Sequence, residues 1–487
     1  MNDDGRRMHT AGMIVPAGER RRDRRQRATA TRRLEREAMN SLARPRTPSP
    51  DDDAPPEGYL PAAGEPGPDG LRSWLRFRAP AHQDTSATLA AGYPFLAEGG
   101  LGTEGLYIGQ DLYSGASFVY DPWVAYQRGL ISAPNMVIAG IVGSGKSALA
   151  KSLYTRSLAF GRRVYVVGDP KGEHSEIARM VGGRAITLGH GMHTRLNPLD
   201  EGYRPKSMSD AEWAVQVATR RRELVGALTE TVLGRPLAPV EHTAIDVALD
   251  AAVRSADVPV LPHVVDRLLA PDADDDPRLA EDGRQAAHAL RRLVLGDLRG
   301  LFDGPSTEVF DPTLPMISLD LSRVAENDAL LSVLMTCSAA WMEAALTDPQ
   351  GGQRFVIYDE AWRLMRSASL LRRMDAQWRL SRAYGICNVL IFHKLSDLDT
   401  VGDQGSAMRA LASSLLALAE TRIIYRQESD QAGPTSAALG LTGTERALLP
   451  SLGVGQGLWR IKERSFAIGH ALHPAELAAF DTTARMR

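Results

Sequence analysis

Gly140-Ile-Val-Gly-Ser-Gly-Lys146-Ser147 has the form G-x-x-x-x-G-K-S. It follows an apolar run, Met136-Val-Ile-Ala139, and opens into Ala148-Leu-Ala-Lys-Ser-Leu-Tyr154, which predicts a helix. Strand, glycine-rich loop and helix in that order make a phosphate-binding loop. Small residues let successive backbone N–H groups converge on phosphate oxygens, and the helix N-terminus adds partial positive charge. Gly140, Gly143, Ser144, Gly145, Lys146, Ser147 and Ala148 are therefore the candidate nucleotide contacts. Lys146 is suited to the β- and γ-phosphates and the Ser147 hydroxyl to Mg²⁺. The expected ligands are ATP and Mg²⁺.

Outward from the loop, apolar runs and amphipathic windows alternate. Arg163-Val-Tyr-Val-Val167, Ala185-Ile-Thr-Leu188, Met316-Ile-Ser-Leu-Asp-Leu321, Phe355-Val-Ile-Tyr358, Asn388-Val-Leu-Ile-Phe392 and Arg422-Ile-Ile-Tyr425 read as strands separated by helices. This predicts an α/β fold with a mainly parallel sheet, helices on both faces and ligands at the C-terminal strand edge. Between 207 and 300 the strand runs stop, and windows such as Ala211 to Val232 and His242 to Ser255 carry helical periodicity. A nucleotide-binding core in two parts, 131–206 and 301–487, is thus expected around a helical insertion at 207–300. Residues 86–130, with Gly105-Leu-Tyr-Ile-Gly109 and Gly115-Ala-Ser-Phe-Val-Tyr120, read as a short β-rich lead-in. Residues 1–85 run from an Arg-rich block (Arg20 to Arg25, Arg32, Arg33) into a Pro/Asp/Gly-rich stretch (Pro48 to Asp69), and disorder is expected there.

The second chemical signal is Phe355-Val-Ile-Tyr-Asp359-Glu360, an apolar run ending in two carboxylates. A buried strand delivers both to the sheet edge. Asp359 is then placed for the Mg²⁺ shell, and Glu360 for orienting and deprotonating an attacking water. A second carboxylate favours hydrolysis over a nucleotide switch. His393 ends the next strand, where a neutral imidazole offers one donor and one acceptor toward γ-phosphate or water.

Composition narrows the class. The 487 residues are 44% hydrophobic, enough for a sizeable core, and the net charge of −2 gives no global case for nucleic-acid or membrane binding. The two cysteines, Cys337 and Cys387, lie in apolar segments and form neither a disulfide framework nor a zinc spacing. No run approaches the roughly 18 apolar residues of a membrane span. A cytoplasmic protein is expected, at most peripheral at the inner face of the cell membrane.

Taken together, these motifs resemble the HerA–FtsK branch of P-loop ATPases, most of all the TraC-type ATPases of conjugative type IV secretion. Asp169-Pro-Lys-Gly-Glu173 resembles that branch's D-P-x-G-E turn, and Leu196-Asn-Pro-Leu-Asp200 its L-N-P-L-D segment. Leu301-Phe-Asp-Gly304 with Ile317-Ser-Leu-Asp-Leu-Ser322 is similar to its F-D-G and D-L-S pair. Asp359-Glu-Ala-Trp-Arg-Leu-Met365 and Arg382-Ala-Tyr-Gly385 resemble its D-E-A-W and R-x-x-G segments. The resemblance runs from about Gly105 to the C-terminus. It implies a RecA/FtsK-like P-loop NTPase core and a hexameric ring with nucleotide at subunit interfaces. It also implies secretion or conjugation machinery as partners, and an arginine acting on the neighbour's γ-phosphate. Arg382 is the first candidate for that arginine, with Arg379 and Arg426 behind it. Asp169 and Glu173 are weighed as metal or inter-subunit contacts against a turn-and-cap role. Two features depart from the family: it usually carries Gln where His393 stands, and a large N-terminal docking domain, so a separate polypeptide is expected to supply docking. Three other readings stay open. One is a ring motor pumping double-stranded DNA, one a nucleotide-gated scaffold with little hydrolysis, and one a subunit active only beside a paralogue.

Overall fold

The computed structural model describes residues 9–10, 32 and 100–480, apart from 190, 297, 347, 349, 362–367 and 394–406. Nearly all of these belong to one compact unit, 99–487 with 1–13. Of the other unit, 14–98, Arg32 alone is described; the expected disordered tail, 1–85, otherwise lies outside the described residues except for His9–Thr10, which form a short strand, and Trp362 to Met365 of the D-E-A-W segment lie outside them too.

One twelve-stranded sheet organises that unit. In chain order its strands are β1 His9–Thr10, β2 Leu106–Asp111, β3 Ser117–Tyr120, β4 Met136–Ala139, β5 Arg163–Asp169, β6 Arg184–Thr187, β7 Met316–Asp320, β8 Arg354–Tyr358, β9 Ile386–Phe392, β10 Thr421–Tyr425, β11 Gln456–Ile461 and β12 Arg464–Leu472. The spatial order is β3-β2-β12-β11-β10-β4-β9-β8-β5-β7-β6, with β1 on β12. From β10 to β6 every pairing is parallel. From β10 outward the pairings are antiparallel, so the lead-in strands β2 and β3 belong to the same sheet.

The parallel strands are apolar on both faces because both are covered. Val137, Ala139, Tyr165, Val167, Ile317, Leu319, Val356 and Tyr358 join one core, while Met136, Ile138, Val164, Val166, Met316, Phe355 and Ile357 join the other. This is the period-two alternation of a strand read onto two layers. The second core is capped by helices α1 Pro122–Gln127, α2 Lys146–Leu158 and α3 Glu173–Met180. The first is covered by α4 Asp210–Leu233, α5 Pro239–Ser255, α6 Leu261–Leu269, α7 Leu279–Asp282, α8 Arg284–Leu295, α9 Asp328–Leu346, α10 Ala368–Leu380 and α11 Ala407–Leu418.

Residues 207–300 carry helices α4 to α8. Ser209 and Glu212 close a reciprocal capping box on α4, and Gly234, at φ 70°, ends it in a left-handed cap. Among the described residues no strand lies between Thr187 and Met316. Two features go beyond the sequence reading. Asp121 caps α1 by accepting from the Trp123 and Val124 amides, with Pro122 in the first turn, so the β-rich lead-in also carries a helix. The hairpin β11–β12 turns through Lys462 and Glu463, with Lys462 at φ 55°. No Gly or Asn marks that turn, so the sequence carried no hairpin signal.

Candidate active site

Parallel strands place their C-terminal ends on one edge, and register fixes which residues meet there. Ala139 pairs with Phe392, Tyr358 with Leu390, and Gly168 with Tyr358. The phosphate loop after β4, His393 after β9, Asp359 and Glu360 after β8, and the Asp169–Gly172 turn after β5 therefore stand side by side. Strand β9 lies between the loop strand and the acid strand, so His393 falls between Lys146 and Glu360 along the edge.

The loop's shape needs its glycines. Gly140 has φ 159°, and a Cβ there would come within 2.5 Å of Tyr425 Cβ. Gly145 has φ 108°, disfavoured for any residue with a side chain, and the helix begins directly after it, two residues earlier than the sequence predicts. The Ile141 amide donates to the Arg426 carbonyl at 3.0 Å, and the Gly455 amide to the Ser144 carbonyl at 2.9 Å. Both flanks of the loop are thereby pinned to the C-terminal part of the sheet.

Lys146 is 3% exposed, and its Nζ donates to the Gly140 and Ile141 carbonyls at 2.6 and 2.8 Å. Burial brings its pKa down to about 8; the charges of Asp359 and Glu360 oppose this and that of Lys171 adds to it. The folded chain thus binds the Lys146 proton less tightly than the unfolded one. The cost of its charge to folding, about 3 kcal/mol, is fully present below pH 8 and vanishes as pH rises toward 10.5. Denaturant unfolding at pH 8 and pH 10 should therefore show wild type gaining stability relative to Lys146→Met, by up to about 3 kcal/mol. A gap independent of pH would contradict the burial argument.

Asp359 and Glu360 are both buried, at 2% and 6% exposure. Asp359 Oδ2 lies 3.3 Å from His174 Nε2, and His174 Nδ1 is 3.0 Å from the Tyr154 hydroxyl. Burial would raise the Asp359 pKa, but His174, with Lys171, holds it below the ordinary value. Glu360 Oε1 accepts from His393 Nε2 at 2.7 Å and from Lys171 Nζ at 2.6 Å. Against the upward push of burial, those two donors hold its carboxyl well below the usual carboxylate range. The Glu360 backbone is left-handed, φ 52°, a conformation costing a side-chain-bearing residue about 1–3 kcal/mol and found mostly where geometry is imposed by function. With Nε2–H donating to Glu360, His393 keeps Nδ1 as a buried acceptor without a partner among the described residues.

The remaining sequence candidates fall in different places. Asp169 spends both oxygens on the start of α3. Oδ1 accepts from the Glu173 amide, and Oδ2 from the His174 and Ser175 amides and the Ser175 hydroxyl, at 2.8–3.1 Å. Glu173 pairs with the buried Lys151 at 2.8 Å. In Asp169→Asn one side of the acceptor becomes a donor facing amide N–H groups. Unfolding free energy should fall by about 2–4 kcal/mol, measurable by denaturant titration, while Mg²⁺ affinity of the folded fraction stays unchanged. Arg379, on α10, is held by Asp375 of the same helix and Ser414 of α11. Arg382 is exposed before β9 begins, so the length of that seven-residue strand, roughly 23 Å, separates it from its own phosphate edge. Arg426 is exposed at the end of β10, beside the loop. Sequence reasoning missed Lys171 and His174. Both lie in or next to the recognised turn, and only the neighbouring of β5 and β8 brings them onto the two acids.

The residues present fit a magnesium nucleotide. Among the described residues, none of the His, Cys, Asp or Glu side chains form a cluster of three or more able to cage a metal, and the Ser147 hydroxyl has no protein partner. A hydroxyl and one carboxylate are the protein's usual share of a Mg²⁺ shell completed by phosphate and water.

No protein-family model matches the chain, and no curated relative matches it in sequence. Solved structures do. VirB4 of Thermoanaerobacter pseudethanolicus superposes with a TM-score of 0.64 at 20% identity, over 78% of this chain and 99% of that one. The plasmid coupling protein TrwB is similar in its complex with a non-hydrolysable ATP analogue (TM-score 0.52, 13% identity, 76% and 89% covered). Its complex with ADP and Mg²⁺ is similar too (0.51, 14%, 76% and 89%). The fold is that of the P-loop NTPases, in the form shared by VirB4 and the plasmid coupling protein TrwB.

Proposed function

We propose that the chain is a Mg²⁺-dependent ATPase, a ring-forming motor that powers type IV secretion-like or conjugative transfer or assembly. One observation carries the reading: Lys146, His393, Asp359 and Glu360 converge on a single sheet edge, in a fold that matches 99% of the solved VirB4 chain. TrwB, of the same fold, has been solved with an ATP analogue and with ADP and Mg²⁺, which supports the choice of ligand.

The loop amides and Lys146 would bind the phosphate tail, and Ser147 and Asp359 would hold Mg²⁺, with His174 fixing the Asp359 carboxylate. The metal would supply charge neutralisation at the β- and γ-oxygens. Glu360 would orient a water in line with the bond between the γ-phosphorus and the β–γ bridging oxygen and take its proton as that bond breaks. His393 would position Glu360 through its Nε2–H. Arg382, too far to serve its own site, would be offered to the next subunit of a hexamer, where a guanidinium stabilises transition-state charge.

Among the described residues no helix is long and apolar enough to cross a membrane, in keeping with a motor on the cytoplasmic side that meets the membrane through partners. ATPase assays across concentrations spanning self-association, with and without DNA, test the reading. Turnover that rises with association and ignores DNA supports a secretion motor. Stimulation by duplex DNA moves the assignment to a DNA translocase, and flat, negligible turnover moves it to a nucleotide-gated scaffold.

A further inference from the structure

Lys171 belongs to the turn between β5 and α3, and the parallel sheet delivers it to the phosphate edge beside Glu360. Its Nζ lies 2.6 Å from Glu360 Oε1, the oxygen that also accepts His393 Nε2–H at 2.7 Å. An oxygen already accepting from two donors is poorly placed to take a water proton as well. The two partners differ in freedom. The Glu360 side chain is 7% exposed, whereas that of Lys171 is 42% exposed and carries three rotatable donors on a flexible stem. Lys171 is also near enough to Lys146 for its charge to weaken proton binding there. Two ammonium groups thus share an edge built to meet phosphate.

The geometry points to Lys171 as a second cation for the terminal phosphate, one that exchanges Glu360 Oε1 for γ-phosphate oxygens when a triphosphate binds and so frees Glu360 to act on water. The proposal rests on the reading of Glu360 as the water-activating carboxylate. It ties two events together: the anion that needs hydrolysing is the one that outcompetes a single carboxylate for the ammonium. ADP lacks that phosphate, so Lys171 should discriminate between the two nucleotides.

The test is calorimetric affinity for AMP-PNP and for ADP, each with Mg²⁺, in wild type, Lys171→Met, Lys171→Arg, Glu360→Gln and the Lys171→Met/Glu360→Gln double variant. Lys171→Met should weaken AMP-PNP binding about tenfold and leave ADP binding within about twofold, the latter also reporting an intact fold. Lys171→Arg should keep most of the preference. Glu360→Gln removes the competing charge and should tighten AMP-PNP binding severalfold, a gain lost in the double variant. Equal changes for both nucleotides in Lys171→Met, or a Glu360→Gln gain that survives without Lys171, would overturn the proposal. Normal turnover by Glu360→Gln would instead overturn the catalytic assignment of Glu360, whatever the affinities.

Discussion

Glu360→Gln is expected to lower steady-state ATP turnover by about 10²–10⁴-fold while ATP stays bound. The substitution keeps the shape of the side chain and its ability to accept from His393 Nε2, so the strained backbone at φ 52° and the packing around a 6%-exposed residue persist. What it removes is the basicity needed to take a proton from water. Nothing in the loop, in Lys146 or in Ser147 changes, so binding survives the loss of chemistry. The signature is a purified variant that retains nucleotide through gel filtration and releases almost no phosphate. Wild-type phosphate release would remove Glu360 from the mechanism.

Lys146→Ala is expected to fail differently, losing binding as well as turnover. Its ammonium is the buried cation of the loop, now donating to two loop carbonyls, and its swing toward phosphate exchanges those neutral acceptors for charged ones. Charge-assisted hydrogen bonds of this kind contribute about 1.5–3 kcal/mol, so ATP affinity should fall by roughly tenfold to a hundredfold. Turnover should fall by a further factor of about 10²–10³, because the same charge stabilises the phosphate oxygens as the bond breaks. Equilibrium binding and multiple-turnover assays on one preparation separate the two losses. A variant that binds ATP normally and is merely slow would make Lys146 a purely catalytic group, contrary to its position at the mouth of the loop.

The fold was legible where local pattern and long-range structure agree. The loop from Gly140 to Ser147 needs only its own glycines and the strand before it, and the acids at 359 and 360 need only the apolar run that precedes them. What could not be read is the order of strands across the sheet. That β5 lies beside β8 is a fact of tertiary packing, and it alone brings Lys171 and His174 onto Glu360 and Asp359, which are 185 or more residues away in sequence. Strand direction was equally decisive for Arg382, which the family resemblance offers to a neighbour's γ-phosphate and the fold sets at the far end of β9 from its own site. The β11–β12 hairpin escaped notice for a local reason: Lys462 adopts φ 55° without the Gly or Asn that usually signals such a turn.

The central claim is that the loop's amides and Lys146 grip a triphosphate tail. Calorimetric titration of the wild-type chain with AMP-PNP and Mg²⁺ addresses it directly. The account predicts saturable heat at one site per chain, sharply weakened in Lys146→Ala. Absence of any binding heat, or an isotherm identical in the two proteins, would contradict it.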